Sequence, residues 1–240
     1  MRPLHIITPV KDSITSTIET AEALLSSKIS TLYHYTIYND FSTAENTATL
    51  EQFVASHGEN ISLVNLSDVT THPSPNYLLV LQMSQRRAIE AGADLLIVES
   101  DVVVRPDTLQ ALYDGAAERK DCGIAAAVTV DDKGAINYPY EYARGHEGEC
   151  YAVKKHCSFC CSLLTLDLLK AYAFHTLNPE KHWFDVTISQ QARAKGFTNY
   201  LFANLPVIHR PHASRPWKQL KYTNPLKYYW IKFTKGFDKI

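Results

Sequence analysis

Apolar and polar positions in the first half of the chain switch repeatedly between a two-residue and a near-four-residue period. Leu4–Thr8 is an unbroken apolar and β-branched run, which predicts a strand closed by Pro9. Ile14, Ile18, Ala21 and Leu25 then share one helical face, and Ser16-x-x-Glu19 has the spacing of a capping box. Leu32–Tyr38 is β-branched and aromatic and predicts a second strand. A short helix over Thr47–Ser56 carries Leu50, Phe53 and Val54. Ile61–Leu66 predicts a third strand, and Tyr77–Ala91 a longer helix stopped at Gly92, a normal residue just past a helix end. Leu95–Val98 is a fourth strand, and Asp107 caps a helix running to about Glu118. Strands and helices in strict alternation imply a mainly parallel sheet with helices on both faces.

The second half has a different rhythm. Gly123–Val130 and Tyr151–Leu164 read as strands, separated by a Tyr-, Gly- and Glu-rich loop over Asp131–Glu149. Helices are expected at Leu166–Ala173 and Phe184–Lys195, the latter ended by Gly196, and a last strand at Asn199–His209. No internal repeat or low-complexity linker interrupts the 240 residues, a length ample for one core.

Composition narrows the class. Hydrophobic residues make up 45% and charged residues 20%, the balance of an ordinary soluble domain. A formal net charge of −1 disfavours nucleic-acid binding through bulk charge, so no nucleic-acid partner is expected. The N-terminus MRPLHIITPV enters a strand without a long apolar leader, and no apolar run is long enough to span a bilayer. Five cysteines do not make the even framework of a secreted disulfide scaffold and fit a reducing cytoplasm. The cluster in KHCSFCCSLLTL hints at zinc, but it sits in what reads as one strand, where free Cys behaves as a small buried hydrophobe.

The chemistry concentrates in ADLLIVESDVVVRPD, residues 93–107, where the apolar run ends in Glu99-Ser100-Asp101. In extended backbone, residues two apart point to the same side, so both carboxylates are expected to project together from the carboxyl end of a buried strand. Two like charges there call for a neutraliser, and a hard divalent cation such as Mg²⁺, with phosphate oxygens completing its shell, supplies one. Ligands of open α/β sheets bind outside the carboxyl ends of the strands. Thr8-Pro9-Val10, Asn39-Asp40, Glu99-Ser100-Asp101 and His209 all fall there. Each also has a plainer reading: Asp40 as a turn former, Asp185 as a helix N-terminal charge, His209 as a core histidine. The segment TPVKDSI after the first strand has no glycine, which excludes a Gly-x-Gly-x-x-Gly dinucleotide loop. Without a glycine-rich cradle, a metal has to carry the charge of a bound diphosphate.

Five segments, in order, resemble family 2 glycosyltransferases of the GT-A fold. HIITPVKDS resembles the family's first strand and loop. TIYNDFSTAENT resembles D-G-S-T-D-x-T, with Asp40 at the aspartate and Phe41 at the glycine. LLIVESDVVV resembles the D-x-D segment, with Glu99 as a longer first acid. HWFDVTISQQARAKGF resembles E-D-x-D-L-C-x-R-A-R-x-x-G, with Asp185 at the second acid and Phe184 and Thr187 where other acids are common. VIHRPHAS resembles the late strand ending in histidine. The resemblance implies a single GT-A domain over residues 1–215, with a Rossmann-like nucleotide half (about 1–104) and a mixed acceptor half (105–215). It implies an inverting, metal-dependent transfer of sugar from a nucleoside-diphosphate donor to an acceptor hydroxyl, in glycan or polysaccharide synthesis. Thr8, Pro9, Val10, Asp40, Glu99 and Ser100 would bind the nucleotide sugar, and Asp101 and His209 the Mn²⁺ or Mg²⁺. Asp185 would be the general base. His212 competes with His209, which is preferred because it closes the strand. Phe tolerates a positive φ poorly, so the turn at Phe41 is expected to differ from the family's.

The acceptor side is less defined. Tyr138, Tyr140, Tyr142, Arg144 and His146 suit sugar stacking and hydrogen bonding. The tail, residues 216–240, is basic and aromatic, with Asp238 the only acid after Asp185. Trp217, Tyr228, Tyr229, Trp230 and Phe233 with six lysines suit contact with an anionic membrane, hence a lipid-linked acceptor, or packing over the domain. Two alternatives accompany the transferase: a nucleotidyltransferase acting on sugar phosphates, and a non-catalytic binder of sugar nucleotides or glycans.

Overall fold

Alternate residues of the buried strands feed two separate cores. The computed structural model describes residues 2–180, 183–210 and 224–235. In β4 (Asp94–Val98), Leu95 and Ile97 join the core under α3 (Tyr77–Ala91), α5 (Leu166–Ala171) and α6 (Phe184–Ala194). Leu96 and Val98 join the core under α1 (Ile14–Leu25), α2 (Ala44–Ala55) and α4 (Thr108–Ala117). A strand buried on both faces reads as a continuous apolar run, which is why the two-residue period disappears there.

The described residues form one mixed sheet of nine strands. β3 (Ile61–Asn65), β2 (Tyr33–Asn39), β1 (Leu4–Val10) and β4 lie side by side and parallel. β8 (Cys161–Leu164) enters antiparallel beside β4, followed by β6 (Cys122–Val130) and β9 (Thr198–His209). The outer side of β9 is shared by β7 (Cys150–Ala152) and the two-residue β5 (Val102–Val103). β6 and β9 therefore run the same way as β1, β2 and β4, and all five deliver their carboxyl ends to one edge.

Four local expectations are corrected. β1 does not close at Pro9 but continues to Val10. The Leu4 N–H bonds to Leu32 and the Val10 carbonyl accepts from Asp40, so even-numbered residues face β2. Pro9 faces the β4 side, where pairing has already ended at Ile7, and its missing donor costs nothing. Phe41 adopts a φ of 57°, so the turn keeps the left-handed form a glycine would take. Such a residue costs about 1–3 kcal/mol. The ring packs against the core, the Phe41 carbonyl accepts from Lys11 Nζ, and Ser42 N–H bonds to Asn39 Oδ1 (3.2 Å).

The capping box does not form. α1 starts after Ser13, Ser16 Oγ donates to the Ser13 carbonyl (3.1 Å), and Glu19 instead pairs with Arg210 (2.6 Å). Residues 151–164 are two strands, not one. Polar residues Lys154-Lys155-His156 interrupt the run, so β7 stays on the outside of β9 while β8 crosses to the sheet's centre. Beyond β9, α7 (Pro225–Lys235) exposes Leu226, Tyr229, Trp230 and Phe233 and buries Tyr228. His212 and Trp217 lie outside the described residues. No helix among the described residues is long and apolar enough to cross a membrane.

Candidate functional site

β4 ends at Val98 and the chain turns at once. Val102 N–H donates to the Glu99 carbonyl (3.2 Å), closing a four-residue turn that leads into β5. The extended geometry expected for residues 99–101 is thus replaced by a turn. What positions Asp101 is a long-range pairing: Val102 lies opposite His209, and Arg210 N–H bonds to the Asp101 carbonyl (3.1 Å). Asp101 Oδ2 ends 3.6 Å from His209 Nε2, with both side chains buried.

Four further contacts shape this corner. His209 Nδ1 sits 2.8 Å from the Tyr138 carbonyl, which can only accept, so Nδ1 carries the hydrogen and neutral His209 presents a lone pair at Nε2. Asn137 Nδ2 donates to the His209 carbonyl (2.8 Å). Cys160, the residue before β8, accepts the Glu99 N–H on its carbonyl (2.9 Å), and its thiol donates to Glu99 Oε2 (3.3 Å). Burial raises the Glu99 carboxyl above its ordinary value and Asp101 adds to the effect, while His209 and the Cys160 thiol oppose it. Burial acts to lower the His209 pKa, but the Asp101 carboxylate and then Glu99 outweigh it and hold the imidazole above its ordinary value. Negative charge is concentrated in a mostly closed corner.

Asp185 opens α6, where the helix dipole favours a carboxylate. Its Oδ1 accepts the Val186 N–H (2.9 Å), and the charge is close enough to push the Glu99 carboxyl up. Ser100 lies buried in the turn between Glu99 and Asp101. The turn after β4 and the end of β9 therefore meet, and the charge at the start of α6 is felt at Glu99.

The residues expected to bind the nucleotide line the same edge in a different manner. Thr8 is fully buried and its Oγ1 accepts from Tyr35 Oη (2.9 Å); Val10 is buried and Pro9 partly exposed. Asp40 accepts from Ser74 Oγ (2.7 Å), Asn76 N–H (2.8 Å) and Asn76 Nδ2 (2.8 Å), which ties the segment before α3 to the end of β2. In the 131–149 loop, Tyr140 is fully buried, its Oη accepting the Ser158 N–H (2.8 Å), which corrects its reading as a sugar-stacking ring. Arg144 is bonded to the Ile136 carbonyl (2.9 Å), while Tyr138 is half exposed. Arg87 is held over Tyr38, 5.7 Å from the ring centroid. A groove of about 590 Å³ between α3 and α5 lies at the opposite end of the sheet, since Leu164 before α5 pairs with Leu95 at the start of β4.

A divalent cation fits the donors present. Oxygen of Glu99, Sγ of Cys160 and Nε2 of His209 lie within 4.8 Å of one another, and Asp101 stands beside His209. Cys160 was missed in the sequence because the strand reading of its cluster hid its register. Only the pairing of β8 with β4, Cys161 opposite Val98, sets it beside Glu99.

No protein family's sequence profile matches the chain, and no curated protein matches it in sequence. Solved structures do match. A mannosyltransferase from Pyrobaculum calidifontis, PcManGT, in complex with GDP-Man and Mn²⁺, superposes with a TM-score of 0.66 at 10% identity, covering 97% of this chain and 65% of that one. GalNAc-T7 with UDP, GalNAc and Mn²⁺ gives 0.65 at 10% identity, covering 87% of this chain and 44% of that one. The chain spans less than two thirds of the length of either. The fold is that of GT-A glycosyltransferases.

The Asp40 contacts generate a stability prediction that needs no ligand. Asp40→Ala strands three donors at the start of α3 and should cost about 2–3 kcal/mol. Urea unfolding should show a lowered midpoint with unchanged slope, and Asp40→Asn should fall between the two. An unchanged midpoint in Asp40→Ala would show that these bonds do not hold the segment.

Proposed function

We propose that the chain is a metal-dependent glycosyltransferase that moves a sugar from a nucleoside diphosphate to an acceptor hydroxyl with inversion. The observation that carries the reading is the meeting of Asp101 with His209 at 3.6 Å, beside Glu99, at the edge where the parallel strands end. The likeness to folds solved with Mn²⁺ and with a nucleotide or nucleotide sugar supports it.

In this reading the nucleotide half, about residues 1–104, binds the donor, and residues 105–215 form the acceptor side. Thr8, Pro9, Val10 and Asp40 form the wall for base and ribose. Thr8 and Asp40 shape that wall through their inward hydrogen bonds. Asp101 and His209 hold a Mn²⁺ or Mg²⁺ ion, with Glu99 and Ser100 beside the diphosphate and sugar. When bound, the cation neutralises the charge that grows on the departing diphosphate. The Tyr138 carbonyl keeps the His209 lone pair aimed into the site. Asp185 accepts the proton of the attacking hydroxyl as its oxygen bonds to the anomeric carbon and the bond to the diphosphate breaks. A positioned base of this kind contributes about 10²–10⁴-fold. The acceptor is a glycan or lipid-linked glycan.

α7 with the lysines of residues 216–240 forms a peripheral contact with anionic membrane. The exposed Leu226, Tyr229, Trp230 and Phe233, in a stretch whose only acid is Asp238, support this. Co-sedimentation with anionic vesicles should fall when Trp230 and Phe233 are replaced by Ser; equal sedimentation would remove the membrane contact from the account.

Thermal unfolding with UDP, GDP, CDP and dTDP sugars, each with and without Mn²⁺, tests the function. One nucleotide should raise the melting point in a metal-dependent way, by about 5–10 °C at a hundredfold excess over Kd. Asp185→Asn should keep that shift and lose at least ~10²-fold in sugar transfer. Stabilisation by nucleoside triphosphates alone, with pyrophosphate released from a sugar phosphate, would replace the reading by nucleotidyl transfer. Donor binding without turnover in the unaltered chain, across acceptors, would leave a binding protein.

A further inference from the structure

Among the described residues, Cys160 is the cysteine whose sulfur faces both an acid and an imidazole. Its backbone is pinned by the Glu99 N–H, and its side chain is buried. Sγ lies 3.3 Å from Glu99 Oε2, 3.9 Å from His209 Nε2 and 3.4 Å from Ser158 Oγ. Ligands about 2.0–2.3 Å from one ion in tetrahedral arrangement stand roughly 3.3–3.8 Å apart. The spacings about Cys160 are close to that. Cys160 directly precedes β8, Glu99 directly follows β4 and His209 ends β9, so each donor stands at the end of a strand fixed by sheet pairing.

A sulfur ligand changes which ion the site holds. Carboxylate and water suit Mg²⁺; thiolate and imidazole suit borderline-soft ions such as Zn²⁺ and Co²⁺. A thiolate strengthens that preference beyond what the imidazole alone gives. We propose that Cys160 is a ligand of the divalent cation and that Glu99, placed above beside the diphosphate, joins it and His209 in a mixed oxygen, nitrogen and sulfur set, so that of the divalent ions the site takes Zn²⁺ or Co²⁺ in preference to the Mg²⁺ of the broader reading. The inference rests on the reading of this corner as a cation site. The thiol hydrogen, directed at Glu99 when no ion is present, leaves to solvent as the ion enters.

Co²⁺ titrated into the full chain tests the inference by absorption, independently of activity. Thiolate ligation gives a charge-transfer band in the near ultraviolet, and bound Co²⁺ of any ligation gives bands in the visible. The ultraviolet band should appear in the unaltered chain and in Cys150→Ser, and be lost in Cys160→Ser and Cys160→Ala. Zn²⁺ affinity should fall at least ~10-fold in Cys160→Ser while Mg²⁺ affinity changes little. Circular dichroism of both Cys160 variants checks that they are folded, and the visible bands check that the ion still binds. Visible bands without the ultraviolet band in the unaltered chain would overturn the Cys160 assignment and leave the cation site standing. The same holds if the ultraviolet band persists in Cys160→Ser. No Co²⁺ signal of either kind, with or without UDP or GDP, would overturn both this inference and the metal reading beneath it.

Discussion

The two-residue ladder between β5 and the end of β9 is the constraint on which the site depends. Val102 opposite His209 and Val103 opposite Ile208 join a segment just after the sheet's central strand to the last strand of the fold. Without that pairing, Asp101 would sit on a solvated turn, and His209 would end a strand with no carboxylate facing it. With it, a buried acid and a buried imidazole face each other, and Arg210 closes the corner from outside through Glu19 and Asp132. The surrounding hydrogen bonds then set chemistry as well as position: a carbonyl fixes which nitrogen of His209 carries its hydrogen, and Cys160 is held against Glu99.

Much of the architecture was legible in the chain. Apolar runs closed by turn residues marked β1 to β4, and alternation with helical faces implied the parallel sheet. Glu99, Asp101 and His209 could be placed at its carboxyl edge because in such sheets the strand ends are where ligands gather. What escaped was everything set by register between distant segments. The pattern of Val102-Val103 is too short to read as a strand, and nothing in KHCSFCC says that Cys160 will lie beside Glu99. Phe41 shows the reverse case. Its residue type argued against a left-handed turn, but core contact of the ring and the bonds around its backbone outweigh a local cost. Tyr140 likewise looked like a sugar platform by type and is instead a core residue whose hydroxyl holds the chain at Ser158.

The site combines features that ordinary cores avoid: two acids close together, shielded from water, and an imidazole whose Nε2 faces one of them. Burial raises the Glu99 carboxyl, and the acids raise His209, so the groups partly compensate one another. A divalent cation with an anionic ligand relieves the same imbalance more completely. In the proposed function, that relief would let a chain without a glycine-rich phosphate loop take a nucleoside diphosphate at this corner. The Asp40 cluster and the buried Thr8 hydroxyl give the neighbouring wall its rigidity.

The central claim is that one ion and one diphosphate share this corner. Diffraction from crystals soaked with Mn²⁺ and UDP or GDP, using the anomalous signal of manganese, tests it directly. The account predicts an anomalous peak within ligand distance of Asp101 and His209, with the diphosphate beside it at the carboxyl ends of β1 and β4. An ordered nucleotide elsewhere, such as in the groove between α3 and α5, with no manganese at Asp101 and His209, would contradict it.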